Sequence, residues 1–149
     1  MLPDWRENLR AQGKKLVATN GCFDLLHVGH VTYLQEARNL GDALLVGLTS
    51  DANVRQLKGE GRPLNSEQDR AGVLAALQAV DSVFIFPEFD ARNFLQRVQP
   101  DVYVKGGDYT LDTINQDERR LLEKMGVKIV LLGVVPGKST SALLEKMGK

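Results

Sequence analysis

The sequence predicts a doubly wound, Rossmann-like α/β domain: a five-stranded parallel sheet with helices on both faces. Three observations lead there. Five short apolar runs rich in Val, Ile and Leu alternate with helical patterns along the 149 residues. Glycine, serine or aspartate stands at most of the boundaries between them. With 43% hydrophobic and 26% charged residues, the chain can bury one sizeable core, so it reads as a single domain over 1–149.

The elements follow in order. Residues 4–11 predict a short helix ended by Gly13, with the lone tryptophan, Trp5, packing it on the core. Lys15 to Thr19 is the first strand, and Asn20-Gly21 then reads as a tight turn. Val28, Val31, Leu34, Ala37 and Leu40 recur at helical spacing over 28–39, and Gly41 stops that helix. Ala43 to Leu48 is too short for a helix and reads as a buried strand. Asp51 to Leu57 predicts a short helix, and Lys58 to Asn65 a glycine-rich basic loop. Ser66 with Asp69 three residues on resembles a capping box, opening a helix to Gln78. Ser82 to Phe86, Val102 to Lys105 and Val127 to Leu132 are the remaining strands. Helices over Ala91 to Val98, Asp117 to Met125 and Thr140 to Lys146 complete the pattern.

Composition excludes several function classes. Nineteen basic and nineteen acidic side chains cancel, so no global field draws in nucleic acid or an anionic membrane. A single cysteine excludes an internal disulfide and suits a reducing compartment. No apolar run approaches the ~18 residues of a membrane span, and Met1 to Arg6 holds no signal-peptide core. A cytoplasmic location is the expectation.

The chemistry concentrates in Asn20-Gly21-Cys22-Phe23-Asp24-Leu25-Leu26-His27-Val28-Gly29-His30, which contains both histidines of the chain. At i, i+3 spacing the two imidazoles share one face of a helix's first turn. Unpaired N–H groups and the positive end of the dipole lie there too, a setting for phosphate. Two plainer readings compete: histidines that merely cap a helix, and a metal pair helped by Asp24. Gly29 favours phosphate, because it clears a side chain where phosphate must approach backbone. Cys22 has no histidine–acid system left to activate it, so it reads as a small packed residue with its backbone toward a ligand.

Two other nucleotide fingerprints are absent. Gly21 and Gly29 form no GxGxxG. Gly133 to Ser139 is one residue short of a P-loop, and Pro136 has no N–H to give.

Further candidates sit on other loops. Gly59 and Gly61 suggest a mobile flap that folds Lys58 and Arg62 over a triphosphate, against the plainer reading of solvated charge. Arg70 reads either as an exposed partner of Asp69 or as a phosphate ligand. Lys105, beside Gly106 and Gly107, points to substrate or phosphate contact at a strand end. Ser139, Thr140 and Ser141 offer more hydroxyls than one helix cap needs.

Gly21 to His30 resembles the G-x-F-D-x-x-H-x-G-H signature of the cytidylyltransferase-like nucleotidyltransferases. Gly137-Lys138-Ser139-Thr140-Ser141 resembles the second signature of that superfamily, with Ser141 in place of a threonine. Lys58 to Asn65, Asp69-Arg70 and Val104 to Tyr109 are similar to one branch, the adenylyltransferase domains of ADP-heptose synthases. The similarity runs over residues 5 to 147, without the kinase domain that many branch members carry ahead of it.

That resemblance implies transfer of an adenylyl group from ATP to D-glycero-β-D-manno-heptose 1-phosphate, with release of pyrophosphate. It implies catalytic roles for His27, His30, Lys58, Arg70 and Lys105. Nucleotide contacts would fall on Asn20, Gly21, Cys22, Phe23, Gly29, Asp108, Ser139, Thr140 and Ser141. Sugar phosphate would meet Lys105, Gly106 and Gly107, while Gly59, Gly61 and Arg62 form the flap. Mg²⁺ would enter with ATP, with Asp24 and Asp108 as outer-sphere partners and no metal site of the protein's own. The implied partners are small molecules, a separate upstream sugar kinase and, compatibly, a second copy of the chain. A cytidylyltransferase acting on a polyol phosphate and a non-catalytic nucleotide sensor are the rival readings.

Overall fold

The computed structural model describes residues 2–87, 91–107, 109–133 and 140–148. Five parallel strands form one sheet: β1 (Leu16–Gly21), β2 (Ala43–Thr49), β3 (Ser82–Phe86), β4 (Val102–Gly106) and β5 (Lys128–Leu132). Their order is β3-β2-β1-β4-β5, so the chain winds outward from β1 in both directions. The β1–β4 junction is the topological switch point, where such sheets open a crevice at the carboxyl ends of the strands.

The helices are α1 (Leu2–Ala11), α2 (Val28–Arg38), α3 (Asp51–Lys58), α4 (Glu67–Ala75), α5 (Arg92–Val98), α6 (Gln116–Met125) and α7 (Thr140–Lys146). Alternation along the strands divides the apolar residues between two layers. Leu16, Ala18, Leu45 and Tyr103 pack with Leu9 of α1, Phe94, Leu95 and Val98 of α5, and Leu122 of α6. Trp5 packs against this layer, as the sequence predicts. Val17, Val46, Leu48, Val102 and Val104 pack on the opposite face with Leu34 and Ala37 of α2 and Leu74 of α4. Both faces of the sheet are therefore covered, and the predicted fold class holds.

Several boundaries depart from the sequence reading by one to three residues, and three of them have a visible cause. β1 continues through Asn20 and Gly21 because they pair with Gly47 and Leu48 of β2, so no turn forms there. Left-handed backbone falls instead at Phe23, whose φ is 48°. β4 likewise continues to Gly106 by pairing with Leu132 of β5. α4 ends at Ala75 rather than Gln78, and the amides of Leu77 and Val80 close tight i→i−3 turns there. Ser66 caps that helix as expected, its hydroxyl accepting from the Asp69 amide at 3.2 Å.

At the end of the sheet remote from the crevice, Arg6 ties α1 to the start of β4. Its guanidinium donates to the carbonyls of Val98 and Gln99 and pairs with Asp101 at 3.2 Å. Asp101 also accepts from the Leu16 amide at 2.8 Å, so one carboxylate sets where β1 begins.

At the crevice end, Tyr33 of α2 packs against β4. Its hydroxyl meets Thr19 Oγ1 and donates to the Val104 carbonyl at 3.3 Å. A Cβ at position 106 would collide with the Tyr33 ring, so only glycine fits beneath it. Gly106→Ala is expected to destabilise the domain by about 1–3 kcal/mol through overpacking. Urea unfolding measures this, and an unchanged midpoint would show that Tyr33 is free to move aside.

Candidate active site

The loop between β1 and α2 delivers both histidines to the crevice. His27 is the N-cap of α2: its backbone is extended (φ −143°, ψ 177°) and its Nδ1 accepts from the Gly29 amide at 3.0 Å. The helix-capping reading is thus correct, and it has a chemical consequence. With Nδ1 the acceptor, the neutral ring carries its proton on Nε2, so that end of the imidazole is a hydrogen-bond donor. His30 stacks on His27 with ring centroids 4.0 Å apart, and Phe23 lies against His30 at 5.3 Å. The shared helix face expected from the i, i+3 spacing is present.

His30 is held neutral. Burial, and after it the neighbouring His27, push its pKa down to about 4. Its Nδ1 is buried without a hydrogen-bond partner among the described residues. Phe23 is buried in its left-handed backbone, and a side chain at Gly21 would stand 2.9 Å from its ring. Burial against neighbours holds such strained conformations in place at sites.

Asp24 does not face the crevice as a partner for a metal. Its side chain is 1% exposed. Its oxygens accept from the amides of Leu64 at 2.8 Å and Asn65 at 3.0 Å and from Arg62 Nε at 2.9 Å. Burial raises the Asp24 carboxyl, but these hydrogen bonds and the Arg62 charge outweigh it and leave the pKa below the usual value.

Arg62 is accordingly an ion-pair partner, and the flap divides in two. Residues 62–65 are tied to Asp24. Gly59 and Gly61 instead have positive φ, and a Cβ at either would meet nothing within 4 Å. Lys58 ends α3 and is exposed.

Arg70 requires the clearest correction. It is 1% exposed, so it is neither a surface partner of Asp69 nor presented to a phosphate. Its Nη1 donates to the carbonyls of Cys22 at 2.7 Å and Thr49 at 2.9 Å, its Nε to Asn65 O at 3.0 Å, and its Nη2 to Asp51 at 2.6 Å. Arg70 therefore positions the loop through its backbone, and the Cys22 carbonyl is turned to Arg70.

Across the switch point, Lys105 is half-buried with Nζ 5.3 Å from the centroid of the Tyr109 ring, a cation–π contact that steadies the ammonium. Asn20 accepts from the Tyr103 hydroxyl at 2.7 Å. Gly106 and Gly107 follow Lys105, and the Gly107 amide donates to Leu132 O. Asp108 and Ser139, and the side chains of Thr140 and Ser141, lie outside the described residues. The structure thus places Asn20 and Gly21 at the carboxyl end of β1, Lys105 and Gly106 at that of β4, and His27, Gly29 and His30 at the start of α2, and it turns Asp24, Arg62 and Arg70 to structural partners. Sequence reasoning missed the roles of Asp51, Asn65, Tyr33 and Tyr103 because their partners are 14 to 83 residues away.

Burial of His30 has a measurable consequence. The unfolded chain takes up a proton at His30 below about pH 6.5, the folded chain only near pH 4. The unfolded state binds more protons between those values, so stability falls as pH drops through that window. Urea midpoints from pH 7 to 4 should fall more steeply for the native protein than for His30→Gln. Parallel curves would mean that the imidazole is not held neutral by the fold.

Comparison with known proteins agrees with this geometry. The family model described as cytidylyltransferase-like matches residues 18–143. The chain is 51% identical over 140 residues to the bifunctional protein HldE of Geobacter sulfurreducens, covering 94% of this chain and 28% of that protein. It is 49% identical over 143 residues to HldE of Pseudomonas fluorescens, covering 96% and 30%. The chain therefore spans less than a third of the length of these relatives. The solved lipopolysaccharide core biosynthesis protein of Thermoplasma volcanium superposes with a TM-score of 0.68 at 28% identity, over 83% of this chain and 98% of that one. Among the described residues no helix is long and apolar enough to cross a membrane. A parallel sheet with its switch point at β1–β4, a histidine-capped helix in that crevice and a match across 18–143 converge: the chain belongs to the cytidylyltransferase-like family of nucleotidyltransferases.

Proposed function

We propose that this domain transfers an adenylyl group from ATP to a sugar 1-phosphate, D-glycero-β-D-manno-heptose 1-phosphate, giving ADP-heptose and pyrophosphate. The observation that carries the proposal is the stacked histidine pair at the N-terminus of α2, with the His27 tautomer set by its own cap. The heptose assignment draws on the Lys58 to Asn65 and Val104 to Tyr109 blocks and on about 50% identity to HldE proteins.

In this reaction an oxygen of the sugar phosphate attacks the α-phosphorus in line. The new P–O bond forms as the bond to the β-phosphate oxygen breaks, and the electron pair leaves with pyrophosphate. The nucleophile is already ionised, so no general base is needed, and catalysis reduces to positioning and charge stabilisation. His27 Nε2–H donates to phosphoryl oxygen. The α2 N-terminus adds backbone N–H groups and its dipole at the same place. Lys105 supplies a full positive charge from the other side of the switch point. His30, neutral and packed on Phe23, keeps the His27 ring in place and presents a second imidazole without adding charge that the buried setting disfavours.

The donor set does not build a metal cage. Among the described residues no three His, Cys, Asp or Glu side chains converge, and the Asp24 oxygens are engaged by Arg62 and the amides of Leu64 and Asn65. Mg²⁺ would enter this site as a companion of the triphosphate and would offset its charge.

Two expected outcomes test the reading. Pyrophosphate release should be fast with ATP and D-glycero-β-D-manno-heptose 1-phosphate and far slower with CTP. Steady preference for CTP, or turnover only with a polyol phosphate, would overturn the adenylyl assignment, and binding without turnover would indicate a sensor. His27→Ala in the folded protein should lower kcat by about 10²–10³, the usual effect of losing one preorganised donor to a developing oxyanion. A variant within a few-fold of the parent would remove His27 from the mechanism.

A further inference from the structure

Tyr103 is an unusual choice for its place. It is the second residue of β4, between Val102 and Val104, 1% exposed, in the layer that α5 and α6 cover. An aliphatic side chain would fill such a slot without the cost of burying a hydroxyl. The hydroxyl is used: it donates to Asn20 Oδ1 at 2.7 Å. Burial, and after it the charge of Glu118 on α6, push the Tyr103 phenol well above its ordinary value, and Glu118 also hydrogen-bonds the phenol beside Asn20.

Asn20 is the penultimate residue of β1 and half-buried at the mouth of the switch-point crevice. Ala18 pairs with Tyr103 and Thr19 with Val104, so continuation of the register sets Asn20 beside Lys105. An asparagine amide is two-faced, with an acceptor oxygen at one end and two N–H donors at the other. Tyr103 takes the oxygen, which leaves the two Nδ2 hydrogens at the other end of the amide. A flipped amide would turn its oxygen toward whatever Lys105 faces, and an oxygen lone pair repels an anion.

We propose that Tyr103 is a positioning residue that fixes the polarity of the Asn20 amide, so that Asn20 meets phosphate oxygens of the bound nucleotide with N–H donors. This rests on the reading of the crevice as a phosphate site and adds to it a residue that never touches the ligand. Tyr103 acts from the α5–α6 side of the sheet, behind Asn20, while the histidines approach from the α2 side.

Calorimetric binding of ATP–Mg²⁺ and of inorganic pyrophosphate tests this in four proteins: native, Tyr103→Phe, Asn20→Ala and Asn20→Asp, with the Tyr103→Phe/Asn20→Ala double variant as control. Asn20→Asp keeps the acceptor for Tyr103 but replaces the donors by a carboxylate oxygen, so it should bind at least roughly tenfold more weakly than Asn20→Ala, as like charges require. Tyr103→Phe should weaken binding by about two- to fivefold, because the freed amide is flipped for part of the time. That loss should appear as a raised KM for ATP with kcat little changed, and should vanish in the Asn20→Ala background. Asn20→Asp binding as tightly as Asn20→Ala would overturn the donor assignment. A Tyr103→Phe loss that persists without Asn20, or no loss at all, would overturn the positioning role. Native protein that binds neither probe would instead defeat the phosphate reading itself, and the inference with it.

Discussion

The Asp24 carboxylate is the point on which the site depends. Three donors converge on it from one short stretch, the Arg62 side chain and the amides of Leu64 and Asn65, while Asp24 itself lies in the loop that carries the histidines. Asn65 reciprocates by donating from Nδ2 to Asp24 O at 3.1 Å, and its own carbonyl accepts from Arg70. Arg70 then reaches the carbonyls of Cys22 and Thr49 and the carboxylate of Asp51. Three segments distant in sequence are joined in this way: the β1–α2 loop, the end of β2 with the start of α3, and the approach to α4. Buried charges are costly unless paired and hydrogen-bonded, and here each has its partners. Removing one member would leave the others buried and unsatisfied.

This arrangement engages much of the local charge in structure. Two arginines are neutralised by Asp24 and Asp51 and serve structure. Among the described residues, the Lys105 ammonium is not in a carboxylate ion pair and lies against the Tyr109 ring. A neutral His30 suits such a place. Burial, and after it the neighbouring His27, oppose a charge on His30 and hold its pKa down.

The switch point is also braced from both faces of the sheet by tyrosine hydroxyls. Tyr33 on the α2 side secures Thr19 and Val104 and covers Gly106. Tyr103 on the α5–α6 side secures Asn20. The ends of β1 and β4 are thereby braced from both faces of the sheet.

Local sequence determined most of the architecture, because its causes are local. Five apolar runs, the Ser66 cap and the glycine stops depend on neighbours within one turn or one strand, so strand and helix positions were legible to within a few residues. The histidine pair was legible for the same reason, since i, i+3 spacing on a helix is a local property. Tertiary structure alone decided the polarity of the supporting charges. Nothing in the order of residues shows that Arg70 is buried 48 residues from the Cys22 carbonyl it binds, or that Asp24 closes on Arg62 rather than on a metal. Nor could it show that Asn20 and Gly21 extend a strand rather than turn, which pairing with β2 dictates. A charged side chain in a glycine-rich loop has the same sequence signature whether it faces ligand or core. Only the packing of distant segments, which sets where water is excluded, separates the two.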